Sequence, residues 1–140
     1  MSSEEIEEIE SVPGLNRILF VEDERDIQMV ARLALEDVGG FTVEVCSSGD
    51  EALEKAPQFR PDLILLDVMM PPPDGPATLS ALARQPESAQ IPVVFVTAKV
   101  QNHEVAQYLD LGAIDVIVKP FDPMTLADQV LAIWRKHHAC

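Results

Sequence analysis

Basic residues, cysteines and long apolar runs are all scarce in this chain of 140 residues. Ten Lys and Arg stand against 24 Asp and Glu, which gives a formal net charge of −14 at pH 7. This balance disfavours direct binding to DNA or RNA, whose phosphates select a basic face, and to an anionic membrane surface. No apolar run approaches the roughly 18 residues of a membrane span, so we expect no membrane insertion.

The two cysteines, Cys46 and Cys140, lie far apart in the sequence. Such a pair does not make a disulfide framework, so a reducing cytoplasm is the simpler expectation. The N-terminus is acidic where a secretory signal needs positive charge, and no apolar segment follows it. Residues 1–16 therefore predict an acidic flexible leader, and residues 17–138 predict one domain of ordinary size.

Short aliphatic runs alternate with amphipathic segments along the rest of the chain. Aliphatic strands that alternate with helices are typical of a parallel sheet covered on both faces. The fold class predicted is therefore α/β, a doubly wound five-stranded parallel sheet with five helices. We predict strands at residues 18–21, 41–45, 63–66, 91–96 and 116–118, and helices at 26–38, 48–55, 76–84, 103–111 and from Asp122 onward.

Polar side chains follow four of the five predicted strands. In an open parallel sheet the carboxyl ends of the strands meet at one edge, which is where ligands bind. Three acids, one hydroxyl and one amine are therefore expected to lie near one another. They are Glu22 and Asp23 after the first strand, Asp67 after the third, Thr97 after the fourth and Lys119 after the fifth.

Each of these residues alone is weak evidence, since such acids often form turns, a lone Thr often caps a helix and a lone Lys often lies on the surface. Together, at one edge of the predicted sheet, they indicate a functional site. Carboxylates of Asp23 and Asp67 at close range would repel each other, and Mg²⁺ would relieve this. Lys119 and Thr97 suit an anion on Asp67, so the set predicts an aspartyl-phosphate site. The second strand ends at Ser47 and contributes nothing comparable.

These motifs occur in an order that resembles the receiver domain of response regulators in two-component signalling. The resemblance covers about residues 17–138 and implies a flavodoxin-like sheet of strand order 2-1-3-4-5. It also suggests a single-domain protein of the chemotaxis-receiver type. The motifs that carry it are "ILFVEDERD", "DLILLDVMMPPPDG", "VVFVTAK" and "GAIDVIVKPF".

The resemblance implies a role for each acid. Asp67 would accept a phosphoryl group from a histidine kinase or a phosphotransfer protein. Asp23, Asp67 and the backbone carbonyl of Met69 would ligate Mg²⁺, and Glu22 would assist through water. Such a protein is not an enzyme in the ordinary sense, because it catalyses only its own phosphotransfer and dephosphorylation. It would signal by contact with a protein target, and weak homodimerisation stays open.

The same resemblance identifies Thr97 and Lys119 as the switch hydroxyl and ammonium. One position departs from the family pattern. Receivers commonly carry Tyr or Phe three residues before the lysine, and here that residue is Val116. An aromatic rotamer switch at this position is therefore absent. The loop after the third strand contains Pro71–Pro73, which should stiffen its bend, and Gly75, which permits tight geometry.

Three alternatives compete with the receiver interpretation. Val116 favours a receiver-like binding module that works without phosphorylation. A phosphatase of the haloacid-dehalogenase type would need a second acid two residues after the nucleophile, where Met69 stands. A flavodoxin-type flavin module would need Ser, Thr and backbone amides after the first strand, where acids stand.

Overall fold

Five parallel strands form the sheet of the computed structural model, in which residues 14–138 are described. The spatial order β2-β1-β3-β4-β5 confirms the predicted topology. Residues 1–13 of the predicted leader and Cys140 lie outside the described residues. The strands are β1 (Arg17–Val21), β2 (Thr42–Cys46), β3 (Leu63–Asp67), β4 (Val93–Thr97) and β5 (Asp115–Val118).

Five helices connect and follow the strands, as predicted. Strand and helix bounds mostly differ from the predicted ones by one or two residues, and the exceptions are α2 and α5. None of the helices in the described part of the chain is long and apolar enough to cross a membrane. The helices are α1 (Arg25–Arg32, continuing as a π-helical segment Leu33–Val38), α2 (Gly49–Phe59), α3 (Gly75–Arg84), α4 (Asn102–Leu111) and α5 (Leu126–His138).

The start predicted for the last helix, Asp122, is wrong by four residues. The chain first makes a turn, in which the Asp122 carbonyl accepts from the backbone N–H groups of Thr125 and Leu126. The Asp122 carboxylate accepts from the N–H of Met124 at 2.8 Å. Asp122 therefore stabilises a turn, and α5 begins only at Leu126.

The end predicted for α2, near Lys55, is also wrong, since the helix passes through Pro57 and continues to Phe59. A proline inside a helix removes the N–H that would bond to the carbonyl four residues earlier, here that of Leu53. The side-chain amide of Gln85 donates to this carbonyl at 3.2 Å. A contact from outside the helix thus replaces the lost bond. The spacing of Ser48 and Glu51 predicts a cap at the start of this helix, and the cap is confirmed, because Ser48 Oγ accepts from the N–H of Glu51.

Both faces of the sheet are buried, so successive residues of each strand contribute to different cores. Residues such as Phe20 and Leu65 pack with α1 and α5, whereas Leu19 and Leu66 pack with α2, α3 and α4. The α1–α5 contact is close at Gly39, where an added Cβ would lie 2.8 Å from the Cβ of Ala127. The two cores hold the strands rigidly, and with them the side chains at the strand ends.

Candidate functional site

Three carboxylates meet at the carboxyl edge of the sheet, as the sequence predicts. Glu22 and Asp23 follow β1 and Asp67 ends β3, and one carboxylate oxygen from each lies within 4.8 Å of the others. Glu22 and Asp67 are almost fully buried, at 0% and 2% exposure, whereas Asp23 is exposed. The site therefore has two fixed acids at its floor and one at its mouth.

Lys119 is the cation of this site. Its Nζ lies 2.8 Å from Oε1 of Glu22 and 3.2 Å from Oδ1 of Asp67. The N–H of Lys119 donates to the carbonyl of Thr97 at 2.9 Å, which holds the chain after β5 against the end of β4. This ammonium pairs with two of the three carboxylates, Glu22 and Asp67, so the cluster of three acids keeps an excess of negative charge.

Burial and pairing act in opposite directions on these groups. Burial raises the pKa of Glu22, and the hydrogen bond from Lys119 only partly reverses this. For Lys119, burial alone would lower the pKa, but the hydrogen bond to Glu22 and the negative charge of Asp67 together leave it raised. Lys119 is therefore charged at neutral pH and holds a buried acid that would otherwise take up a proton more readily.

The loop after β3 folds back onto the strand that carries Asp67. The N–H of Met69 donates to Asp67 Oδ1 at 3.2 Å, and the N–H of Gly75 donates to the carbonyl of Val68 at 3.0 Å. A Cβ at Gly75 would lie only 2.5 Å from the carbonyl oxygen of Asp67, so no larger residue fits here. The prolines at 71–73 span the return of this loop.

Thr97 and Val116 occupy neighbouring strands. Thr97 is fully buried, and its Oγ1 accepts from the N–H of Lys99 at 3.1 Å. Among the described residues its hydroxyl proton meets no acceptor, so the hydroxyl can donate to a bound group. Val116 is half-buried on β5 and lies opposite Phe95 in the register of β4. The switch role of both residues stays a prediction.

The sequence reasoning missed a connection between the ends of β1 and β2. Nε2 of Gln28, in α1, donates to the backbone carbonyl of Glu22 at 2.5 Å and to Ser47 Oγ at 3.1 Å. The N–H of Glu22 also donates to the carbonyl of Cys46 at 2.9 Å. Ser47, which contributes no ligand of its own, thus supports the acidic loop indirectly. No motif around Gln28 signals this contact.

The donor set fits a hard divalent cation. Mg²⁺ prefers oxygen ligands, accepts one or two carboxylates and retains several waters. Two carboxylates at the buried floor and the exposed Asp23 at the mouth offer such oxygens with an open side toward solvent. A largely apolar cleft of about 410 Å³ opens beside this cluster. It is lined by Asp26, Ile27, Val30, Ala98, Lys119, Pro120 and Phe121.

Two curated proteins illustrate the similarity of the sequence. The chain is 39% identical over 120 residues to the alkaline phosphatase synthesis transcriptional regulatory protein PhoP of Bacillus subtilis, covering 86% of this chain and 49% of that protein. It is 38% identical over 124 residues to the transcriptional regulatory protein CpxR of Escherichia coli, covering 89% and 51%. The chain therefore spans about half the length of these relatives.

Solved structures are similar over the same region. The chemotaxis protein CheY4 of Vibrio cholerae superposes with a TM-score of 0.79 at 30% identity, covering 86% of this chain and 99% of that one. The BeF3-activated N-terminal receiver domain of Klebsiella pneumoniae RstA superposes with a TM-score of 0.75 at 32% identity, covering 86% and 99%. The family model described as "Response regulator receiver domain" matches residues 18–131. The chain therefore belongs to the response regulator receiver family of two-component systems.

Proposed function

We propose that Asp67 is the phosphoacceptor of a signalling receiver that comprises residues 17–138. One observation carries the proposal: a nearly buried carboxylate ends the central strand β3 with an ammonium 3.2 Å away and two further acids beside it. The rigid strand fixes the nucleophile, and the Lys119 ammonium can pair with the negative charge of a phosphoryl group on Asp67. The donor is the phosphohistidine of a histidine kinase or phosphotransfer protein.

In the transfer step, a carboxylate oxygen of Asp67 attacks the phosphorus of the donor. A P–O bond forms, the P–N bond of the phosphohistidine breaks, and the imidazole nitrogen leaves with the electron pair. The product on this chain is an acyl phosphate. Hydrolysis ends the signal: water attacks the phosphorus of this acyl phosphate, the P–O bond to Asp67 breaks, and inorganic phosphate leaves, which returns the Asp67 carboxylate to its starting state. The apolar cleft beside Lys119 leaves room for the donor to approach.

Lys119 and Thr97 stabilise the new phosphoryl group. The Lys119 ammonium, which pairs with Asp67 before transfer, is close enough to pair with a phosphoryl oxygen afterwards. The free hydroxyl proton of Thr97 donates to another oxygen of the same group. Val116 replaces the usual aromatic residue, so the signal to the target uses Thr97 and backbone shifts.

Asp23, Asp67 and the carbonyl of Met69 would hold Mg²⁺, with Glu22 assisting through water. When bound, the ion supplies positive charge that neutralises the phosphoryl oxygens during transfer. The chain itself contributes the placement of these ligands: β1 and β3 fix the acids, and the return of the loop at Gly75 shapes the backbone around Met69.

The protein acts in the cytoplasm, where histidine kinases present their phosphoryl groups, and it signals by contact with a protein target. The relatives are named as transcriptional regulators, and this chain spans about half of their length. Direct contact of residues 17–138 with DNA is disfavoured by the acidic net charge.

The test uses a small phosphodonor such as phosphoramidate or acetyl phosphate together with Mg²⁺. Intact-protein mass spectrometry should show one added phosphoryl group, which hydroxylamine removes because acyl phosphates are labile to it. Asp67→Asn should show none, whereas Asp62→Asn, an acid at the opposite end of β3, should label like the wild type. Equal labelling of Asp67→Asn would rule out this acceptor. A receiver that binds its partner equally well with and without phosphodonor would instead be a phosphorylation-independent binding module.

A further inference from the structure

The side-chain amide of Gln28 bridges the two loops that follow β1 and β2. Gln28 is half-buried in α1, and its Nε2 donates both to the Glu22 carbonyl and to the Ser47 hydroxyl. A backbone carbonyl only accepts hydrogen bonds, so the NH₂ group must face Glu22. Both amide protons are therefore used, one on each loop.

The carbonyl that Gln28 holds belongs to the peptide leading into Asp23. Fixing this carbonyl fixes the orientation of the peptide plane, and hence the direction in which the Asp23 side chain leaves the backbone. Within residues 14–138 the Asp23 carboxylate has no hydrogen bond or ion pair of its own, unlike Glu22 and Asp67, which bind Lys119. The position of Asp23 thus depends on its backbone.

The other hydrogen bonds around this turn do not fix the orientation of the peptide between Glu22 and Asp23. The N–H of Glu22 is tied to Cys46 and the N–H of Glu24 to the Glu22 carboxylate, at 2.9 and 3.1 Å. Neither bond reaches the carbonyl between Glu22 and Asp23. Among the described residues, the hydrogen bond from Gln28 is the one that holds it.

We infer that Gln28 is a positioning residue that orients Asp23 for a divalent cation. The inference rests on the proposed function, because it assigns Asp23 to the cation. Gln28 acts through the Glu22–Asp23 peptide and through Ser47, and not by touching the ion. Loss of a residue that orients a metal ligand typically lowers metal affinity by roughly 10- to 100-fold.

The test measures cation affinity without any phosphodonor. Mn²⁺ suits the same oxygen ligands as Mg²⁺, and its free form is counted by electron paramagnetic resonance. Gln28→Met, which keeps the length of the side chain and removes both donors, should weaken Mn²⁺ binding about tenfold. The matched control is Gln129→Met, the same change at an exposed position of α5, which should bind Mn²⁺ like the wild type.

A second variant separates positioning from a general effect on the helix. Ser47→Ala removes one acceptor of the Gln28 amide and should weaken Mn²⁺ binding by about threefold, the worth of a modest hydrogen bond. In the Gln28→Met background the same change should have no effect, because the bond that it breaks is already gone. Additive effects of the two substitutions would contradict the bridge.

The amide resonances of Glu22, Asp23 and Glu24 in the cation-free protein complete the test. Gln28→Met should shift them, while thermal unfolding stays cooperative. Unchanged amides, or unchanged Mn²⁺ affinity, would overturn the positioning role. A wild type that binds no Mn²⁺ would instead overturn the proposed function, and the amide shifts would still decide whether Gln28 orients this peptide.

Discussion

The two ends of the sheet both carry charged side chains, but the two ends differ in how fully these charges are paired with groups of the chain. At the amino end, Asp62 accepts from the backbone N–H groups of Asn16 and Arg17, each at 2.9 Å. The Arg17 guanidinium donates to the Phe59 carbonyl and lies 4.1 Å from the centre of the Phe59 ring. Both of these charges are thus met by groups of the chain itself.

The carboxyl end is built differently. Glu22 and Asp67 share one ammonium, that of Lys119, and Asp23, the outermost acid, has no partner among the described residues. Concentrating like charges at the end of two buried strands costs stability, which a purely structural cluster would avoid. The difference shows which charges hold the fold together and which ones are left available for a ligand.

Replacing Lys119 with Met should produce the largest change in stability. The buried acids Glu22 and Asp67 would lose their cation, and we expect a loss of about 3 kcal/mol in the free energy of unfolding at pH 7 without divalent ions. Lys99→Met, at an exposed position of the same edge, is the matched control and should cost little. Urea denaturation of the three proteins measures the effect. A cost equal to that of the control would show that the ion pairs are dispensable.

The pH dependence of this loss has a definite sign. The pKa of Glu22 is raised above its ordinary value of 4.5, so the folded state takes up the proton more readily than the unfolded state. The stabilising contribution of protonated Glu22 is therefore fully present below pH 4.5, and it is lost as the pH rises through the pKa that Glu22 has in the folded state. Without Lys119 the pKa of Glu22 should rise further. The destabilisation in Lys119→Met should therefore shrink as the pH is lowered from 7 toward 5, and a loss that grows instead would contradict the assignment.

At the amino end, Asp62→Ala should cost stability and nothing else. The two backbone N–H groups of Asn16 and Arg17 would lose their acceptor, and we expect a loss of about 2 kcal/mol. Labelling by phosphoramidate and the affinity for Mn²⁺ should match those of the wild type, because the change lies at the opposite end of the sheet. A change in either activity would break the division between structural and ligand-binding charges.

The smallest effect expected is stabilisation by the cation. At a Mg²⁺ concentration about ten times its Kd, binding to the folded state alone adds about 1.4 kcal/mol, which raises Tm by several degrees in a domain of this size. Asp23→Asn should abolish most of this shift while changing the Tm of the cation-free protein little, since Asp23 is exposed. Differential scanning calorimetry with Ca²⁺-free Mg²⁺ and with K⁺ at equal ionic strength distinguishes binding from screening. Equal shifts of Tm in both salts would contradict a specific cation site.

Local patterns were sufficient for most of the architecture. Aliphatic runs such as 63–66 can be stable only where both faces are covered, so they predicted a parallel sheet with helices on either side. Turn and cap residues placed several boundaries well, including the Ser48 cap of α2 and the end of α4 before Gly112. The predictions failed where a distant side chain decided the outcome, as at Pro57, where Gln85 replaces the missing hydrogen bond.

By itself, then, the sequence determined the fold class and the edge of the sheet at which the acids collect, because both follow from local periodicity and from the rule that parallel strands end together. The strand order was implied only by the family resemblance of its motifs. The tertiary structure alone decided which acids are buried, that Lys119 pairs with Glu22 as well as Asp67, and that Gln28 joins the loops after β1 and β2. These contacts join residues as far as 97 positions apart. Their distances depend on how the strands twist and pack, which no local pattern encodes.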